Sequence, residues 1–203
     1  MLRAIFLTAV TLLVAVGGGA ASVWYALDHV GGLGALEIGA WTAYPATGTA
    51  GVDPYSRARA SRGAELPLGP SEGLEFTAGR DDGGEPLRRE CDYVVEGPSP
   101  AARFFTLHAE DAAGRPIRRA AWRPRSGEAR PRPPALHSHE VLREADGRVV
   151  VAVSGMPRPG NWLYAGGSGP MTLVLALYDT PVASSARVGE VGLPAIRRVG
   201  CPS

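Results

Sequence analysis

Lysine and glutamine are absent from this chain of 203 residues, asparagine occurs once, at Asn161, and cysteine twice. All 21 basic side chains are therefore arginine. A phosphate-cradling Gly-Lys-Ser/Thr loop is excluded, because its lysine has no counterpart. Ala, Gly, Pro and Arg are abundant instead, the pattern of a GC-rich bacterial genome, in which codon supply lowers the meaning of any single Arg, Gly or Pro. Cys91 and Cys201 stand too far apart for a CxxC metal or redox site. Excess charge is missing as well. Beyond residue 27, 20 Arg meet 20 acidic residues, so no overall field steers a nucleic acid, and none is expected as a partner. The balance hides an asymmetry: residues 28–112 carry 7 Arg and 14 acids, and residues 113–203 carry 13 Arg and 6 acids. Strands interleaved from the two halves would mix these charges.

Charge is also absent from residues 4–27, AIFLTAVTLLVAVGGGAASVWYAL, which follow Arg3 and end before Asp28. At helical rise these 24 residues span roughly 36 Å, against a hydrocarbon core of about 30 Å. Arg3 keeps the short basic side in the cytoplasm, so the expected topology is N-in with the remainder outside. Trp24 and Tyr25 at the outer end suit the headgroup layer and support an uncleaved, single-pass inner-membrane anchor. The alternative is a signal sequence cut at the small residues Gly19-Ala20-Ala21, which would release the domain to the periplasm. On either reading residues 1–27 are an anchor or signal, and residues 28–203 form one periplasmic domain, large enough to bury a core. In an oxidising compartment the pair Cys91 and Cys201 is expected to form a disulfide, the alternative being two buried thiols.

The remaining signals are those of short strands and turns. After a flexible Gly31-Gly32 lead, Leu36, Ile38 and Ala40 alternate with Glu37, Gly39 and Trp41, which suits one half-buried strand. Asp53 can cap a helix that begins at Pro54 and runs through Arg57, Arg59 and Arg62 to Gly63, with its arginines solvated. Residues 73–79 and 87–96 flank Asp81-Asp82-Gly83-Gly84 as a hairpin, the two acids serving as turn formers. Residues 102–109 give a further strand, closed by a turn at Ala113-Gly114-Arg115-Pro116. Ala120 to Pro134, rich in Arg and Pro, is expected as an exposed loop. Residues 137–145 and 148–154 flank Asp146-Gly147 as a second hairpin, and 171–178, the most apolar strand, is expected to be central. About seven strands with one or two short helices predict an all-β antiparallel sandwich.

The order Gly160-Asn161-Trp162-Leu163, a Gly-rich turn ending in Gly169-Pro170, and then Met171 through Pro181 resembles the bacterial domain of unknown function 1214. The likeness covers most of residues 33–201 and points to the short, membrane-anchored form of that family. It implies a jelly-roll-like β-sandwich in the periplasm. It implies no reaction, cofactor or substrate.

Among candidate site residues, Asn161 and Trp162 set an amide with two donors and an acceptor beside a large aromatic face, a pair able to bind a sugar or a peptide. The competing assignment has Asn161 tying a turn and Trp162 filling the core. The loop from Pro157 to Pro170 is thus where contact with an envelope protein or glycan is expected. His137 and His139 fall on one face of a predicted strand. A metal would need a third ligand, for which His108 is the candidate besides His29 near the anchor, so no metal and no cofactor is expected. Arg88-Arg89-Glu90 and Arg103 could hold an anion but are expected in cross-strand ion pairs. Gly166-Gly167-Ser168-Gly169-Pro170 fails the G-x-S-x-G nucleophile pattern at its last position. A non-enzymatic, tethered binding or accessory module is therefore expected. A small hydrolase or sugar-handling enzyme with a site assembled from distant loops is the alternative.

Overall fold

The computed structural model describes residues 2–29, 35–63, 66–118, 134–181 and 192–201. The Gly31-Gly32 lead and residues 120–133 of the Arg- and Pro-rich loop lie outside the described residues. The fold is mostly β. Helix α1 (Leu2–His29) precedes β1 (Leu36–Ile38), β2 (Trp41–Ala43) and helix α2 (Pro54–Gly63). Eight strands follow: β3 (Gly73–Ala78), β4 (Asp92–Pro98), β5 (Phe104–Asp111), β6 (Ala135–His137), β7 (Arg148–Ser154), β8 (Asn161–Tyr164), β9 (Met171–Tyr178) and β10 (Ala195–Gly200).

These strands form two sheets, of order β1-β2-β3-β9-β5-β6 and β10-β4-β7-β8. Leu74, Phe76, Leu107, Leu173, Leu175 and Leu177 of the first and Tyr93, Val95, Val151, Val153, Leu163 and Ile196 of the second belong to one buried core. The sheets therefore stack across a common interior. Most pairs are antiparallel, but β8 runs parallel to β7. Among the described residues, six strands stand in one sheet and four in the other.

Alternation in β4 and β7 puts every second residue inward, as a sheet with one wet face requires. β9 differs: Val174 and Ala176, on its other face, are also buried. That two-sided cover explains the unbroken apolar run MTLVLALY, and β9 is central as expected, between β3 and β5. Helix α2 begins as its cap foretells, with Asp53 Oδ1 accepting from the amides of Tyr55 and Ser56 at 3.0 Å each. The disulfide joins Cys91, just before β4, to Cys201, just past β10, with Cα atoms 4.1 Å apart.

Three local expectations are corrected. Residues 36–41 are not one strand, because Gly39, at φ +59°, and Ala40 bend the chain so that Ile38 lies opposite Trp41. The turn at 81–84 forms, with a bridge from Arg80 to Pro86 and Leu87 N–H donating to Gly79 O at 2.9 Å, but its arms then part into different sheets. The Asp146-Gly147 turn likewise keeps only an Arg143 to Val149 bridge, since β6 pairs with β5 and β7 with β4.

The cause at the first turn is legible in its side chains. Asp81 is buried, and its Oδ1 accepts from the amides of Gly83 and Glu85 while Oδ2 meets Arg198 at 3.2 Å. Asp82 Oδ1 accepts from Ala40 N–H at 3.2 Å, and Oδ2 from Ile196 N–H at 2.6 Å. The two acids are therefore more than turn formers. Asp82 ties the β1–β2 bend of one sheet to β10 of the other.

Candidate functional site

β8 is the edge of the four-stranded sheet, and its register sets the site. Leu163 lies beside Val153 and points into the core, so Trp162, beside Ala152, and Tyr164, beside Ser154, take the outer face. Their rings meet edge to face with centroids 6.1 Å apart. Trp162 is half-buried, and its indole Nε1–H donates to the Ser154 carbonyl at 3.2 Å and hydroxyl at 3.1 Å. It therefore neither fills the core nor stands free of the sheet. Exposed Met156 follows in the loop after β7, where its carbonyl accepts the Ser154 hydroxyl.

Asn161 uses its amide within the protein. Its Oδ1 accepts from Leu142 N–H at 2.7 Å, and its Nδ2 donates to the carbonyls of Leu142 at 2.8 Å and Val150 at 2.9 Å. Both donors and one lone pair are thus committed to segments 19 and 11 residues away. The residue fastens β8 to β7 and to the strand-like stretch before it, instead of closing a turn on its own backbone.

His137 and His139 are brought together, though by a turn. β6 ends at His137, whose carbonyl accepts from the amides of Glu140 at 3.0 Å and Val141 at 3.2 Å. The imidazole centroids are 6.1 Å apart at 89°, with the Phe104 ring 5.8 Å from His137 and 5.3 Å from His139. Tyr178 completes the cluster at 5.8 Å from Phe104. His137 Nε2 lies 3.6 Å from Glu140 Oε2, and its Nδ1 is buried. His108, on β5, instead faces Glu110, with Nε2 to Oε1 at 3.1 Å. Among the described residues, no group of three or more His, Cys, Asp or Glu side chains is placed to hold a metal ion.

The histidines and the indole are not brought to one face. His137 lies opposite Thr106 on β5, whose core-facing neighbours are Phe105 and Leu107, so its ring is on the outer side of the six-stranded sheet. Trp162 is on the outer side of the other sheet. Between the sheets lies an apolar cavity lined by residues including Val95, Phe105, Leu107, Leu136 and Val151.

The Gly-rich loop before β9 is held by a clamp that sequence reasoning missed. Arg89 Nε donates to Gly166 O at 3.1 Å, Arg89 N–H to Gly169 O at 2.9 Å, and Gly169 N–H to Glu90 Oε1 at 3.0 Å. Gly167, at φ +119°, lies so close to the Arg89 guanidinium that a Cβ there would collide with it. The amide of Gly169, first, and then Glu90's own amide and Arg88 hold the Glu90 carboxyl below its ordinary range. Arg88-Arg89-Glu90 thus serve the loop: among the described residues, the ion pair they form is that of Arg88 with Glu90, at 3.2 Å within the segment and not across strands. Arg103 does pair across the sheet, with Asp179 at 3.5 Å. The signal that could have found the clamp is a charged triplet just before a strand, facing four glycines or serines that need an anchor.

Two stacked sheets, one of them closed by a disulfide, preceded by an apolar helix define a mostly β domain whose loops are cross-braced by charged side chains. The family described as "Protein of unknown function (DUF1214)" matches residues 72–182, more than half of the chain, and the chain belongs to that family. The matched span holds β3 through β9, including the Asn161 and Trp162 edge. The VPA0106 protein from Vibrio parahaemolyticus is similar in structure, with a TM-score of 0.53 and 17% identity over 72% of this chain and 36% of that one. The chain thus spans about a third of that protein's length, and the likeness is one of fold. An uncharacterized protein from Burkholderia cenocepacia gives a TM-score of 0.40 at 16% identity, over 95% of this chain and 52% of that one. No curated protein matches the sequence.

Proposed function

We propose that this is a membrane-tethered, jelly-roll-like sandwich of the bacterial envelope, held on the periplasmic side of the inner membrane, that binds a partner and does no chemistry of its own. The observation that carries the tether is α1. Within Leu2–Ala26 the most apolar stretch of 18 residues has a mean hydropathy of 2.1, and none of that stretch is buried against the body. Apolar side chains left open on all sides of a helix need lipid around them. Trp24 and Tyr25, exposed at the end nearer the domain, suit the headgroup layer, and Arg3 suits the cytoplasmic side. A disulfide between Cys91 and Cys201 suits an oxidising compartment.

For binding, the β8 edge is the favoured surface. Trp162 and Tyr164 present paired aromatic rings on a strand that Asn161 fixes rigidly, and such a ledge fits the apolar face of an envelope glycan. The loops on either side, from Pro157 to Pro170, give room for contact.

Protease added to intact spheroplasts tests the tether: the domain should be digested while the protein stays in the carbonate-washed membrane pellet. A soluble or protease-protected domain contradicts it. Titration of indole fluorescence with soluble peptidoglycan fragments tests the surface. Trp162→Ala should abolish the response and leave β9 folded, whereas an unchanged response in that variant removes the ledge as the site.

A further inference from the structure

β7 and β8 run parallel, so the chain must be carried from the end of one, at Ser154, back to the start of the other, at Asn161. Residues 155–160 make this return. The face they cross is fixed by Arg158, whose guanidinium donates to Asp92 Oδ2. Asp92 alternates with Tyr93 and Val95, which are in the core, and so stands on the outer face of the four-stranded sheet. The return therefore runs over the outer face of β7. Trp162 and Tyr164 share that face, and across the strands Ala152 lies between Trp162 and Val94.

The segment is built as a stiff arm. Pro157 and Pro159 fix their own φ and hold Met156 and Arg158, which precede them, in extended conformations. At the near end the Ser154 hydroxyl fastens the Met156 carbonyl. At the far end Gly160, at φ +79°, has open space where a Cβ would stand, so the backbone can turn there. Between these ends Arg158 ties the arm to the sheet through its ion pair with Asp92. The two side chains keep 49% and 33% of their surface exposed, so water competes for both charges. A pair of this kind is weak and opens readily. An arm, a pivot and a weak latch thus lie on the face that carries the half-buried Trp162.

We infer that residues 156–160 are a strap across the Trp162 and Tyr164 ledge, latched by Arg158 on Asp92, and that a glycan reaches the ledge when the latch opens. The inference rests on the ledge proposed above. It makes the ion pair set the rate at which ligand enters, and leaves to the aromatic rings the contacts that ligand finally makes.

Three variants of the full chain in nanodiscs test it: Arg158→Asp and Asp92→Arg, each of which sets like charges against each other, and the two together, which restore an opposite pair. Hydroxyl-radical footprinting without ligand should label Trp162 about three to ten times faster in each single variant, and the double variant should return to the original rate. Association of soluble peptidoglycan fragments, followed by stopped-flow indole fluorescence, should quicken by a similar factor in both single variants, with the amide exchange of β9 peptides unchanged. Steering by net charge would instead move the two single variants in opposite directions, and that result overturns the gate. Unchanged labelling of Trp162 overturns the strap, and so does faster labelling that the double variant fails to reverse. Faster labelling with unchanged association overturns the gate, and leaves the ledge standing where Trp162→Ala still abolishes the response. Fragments that bind neither the original chain nor any variant remove the ledge, and the inference falls with it.

Discussion

β4 and β9 each run inside a sheet, yet their side chains follow different rules. In β4, DYVVEGP, buried and half-buried positions alternate, because one face meets the core and the other meets solvent. In β9, MTLVLALY, five consecutive residues from Leu173 to Leu177 are buried. Both strands lie in mostly antiparallel surroundings, so the contrast does not come from strand direction. It comes from cover: the outer face of β9 is shielded and that of β4 is wet. An apolar run in an antiparallel sheet therefore marks a strand covered on two sides, and a period of two marks one covered on a single side.

The largest expected effect is on the wetter sheet, which the disulfide closes at β4 and β10. Changing Cys91 and Cys201 together to Ser frees a loop of 110 residues and should lower stability by about 4 to 5 kcal/mol in the chain-entropy view. Thermal melting under oxidising conditions reads this, and an unchanged melt would mean that β10 is held by its ladder alone. The contrast between the strands themselves is sharpened by one substitution in each. Val174→Ser, 2% exposed in β9, should cost about 2 to 3 kcal/mol, since it removes apolar burial and inserts a hydroxyl. Val94→Ser, half-buried on the wet face of β4, should cost less than about 1 kcal/mol. Equal losses in chemical denaturation would break the comparison.

Asp82 tests how far the two sheets depend on one another. Asp82→Ala removes acceptors from Ala40 and Ile196 and should cost about 1 to 3 kcal/mol. Amide exchange should speed at both β1–β2 and β10. Acceleration at only one of them would show that the carboxylate does not couple the sheets.

The smallest effect lies at the turn after β5. Arg115, by its side-chain bond to Asp111, and then the amides of Arg115 and Ala113 draw the Asp111 carboxyl from 3.8 down to about 2. A carboxyl depressed on folding stabilises the fold above its unfolded value, and that contribution is lost as pH falls through the folded one. Turn stability should therefore hold above pH 3.8 and fade as pH drops toward about 2. Carboxyl NMR should report that low midpoint, and Arg115→Ser should raise it. An Asp111 titration at the ordinary carboxylate value would remove the ion pair at 2.8 Å from the account.

What the sequence made legible was local. The α2 cap at Asp53 and Pro54, the apolar α1, the turn at Gly114 and the central place of β9 follow from neighbours in the chain, and so do the alternating positions of β4. Sheet membership is non-local and was not legible. The arms around Asp81-Asp82 look like a hairpin until the second carboxylate is seen to bond the amides of Ala40 and Ile196. β8 offered no strand signal, because four residues paired in parallel at an edge leave no alternating run long enough to notice. At the candidate site the aromatic character of Trp162 was legible. The bonds that commit the Asn161 amide to Leu142 and Val150 were not, since they depend on where β7 and β8 meet. His137 and His139 were rightly paired in space, but a turn around Phe104 brings them together rather than a strand.

The central claim is that α1 stays with the domain and holds it in an oxidising compartment. Intact-mass measurement of the protein extracted from the membrane fraction, with thiols blocked at lysis, reads both halves at once. The account predicts a chain that retains residues 4–27, lighter than its reduced form by two hydrogens and free of blocking reagent. A chain that begins at Ser22, or one that carries reagent on Cys91 and Cys201, would contradict it.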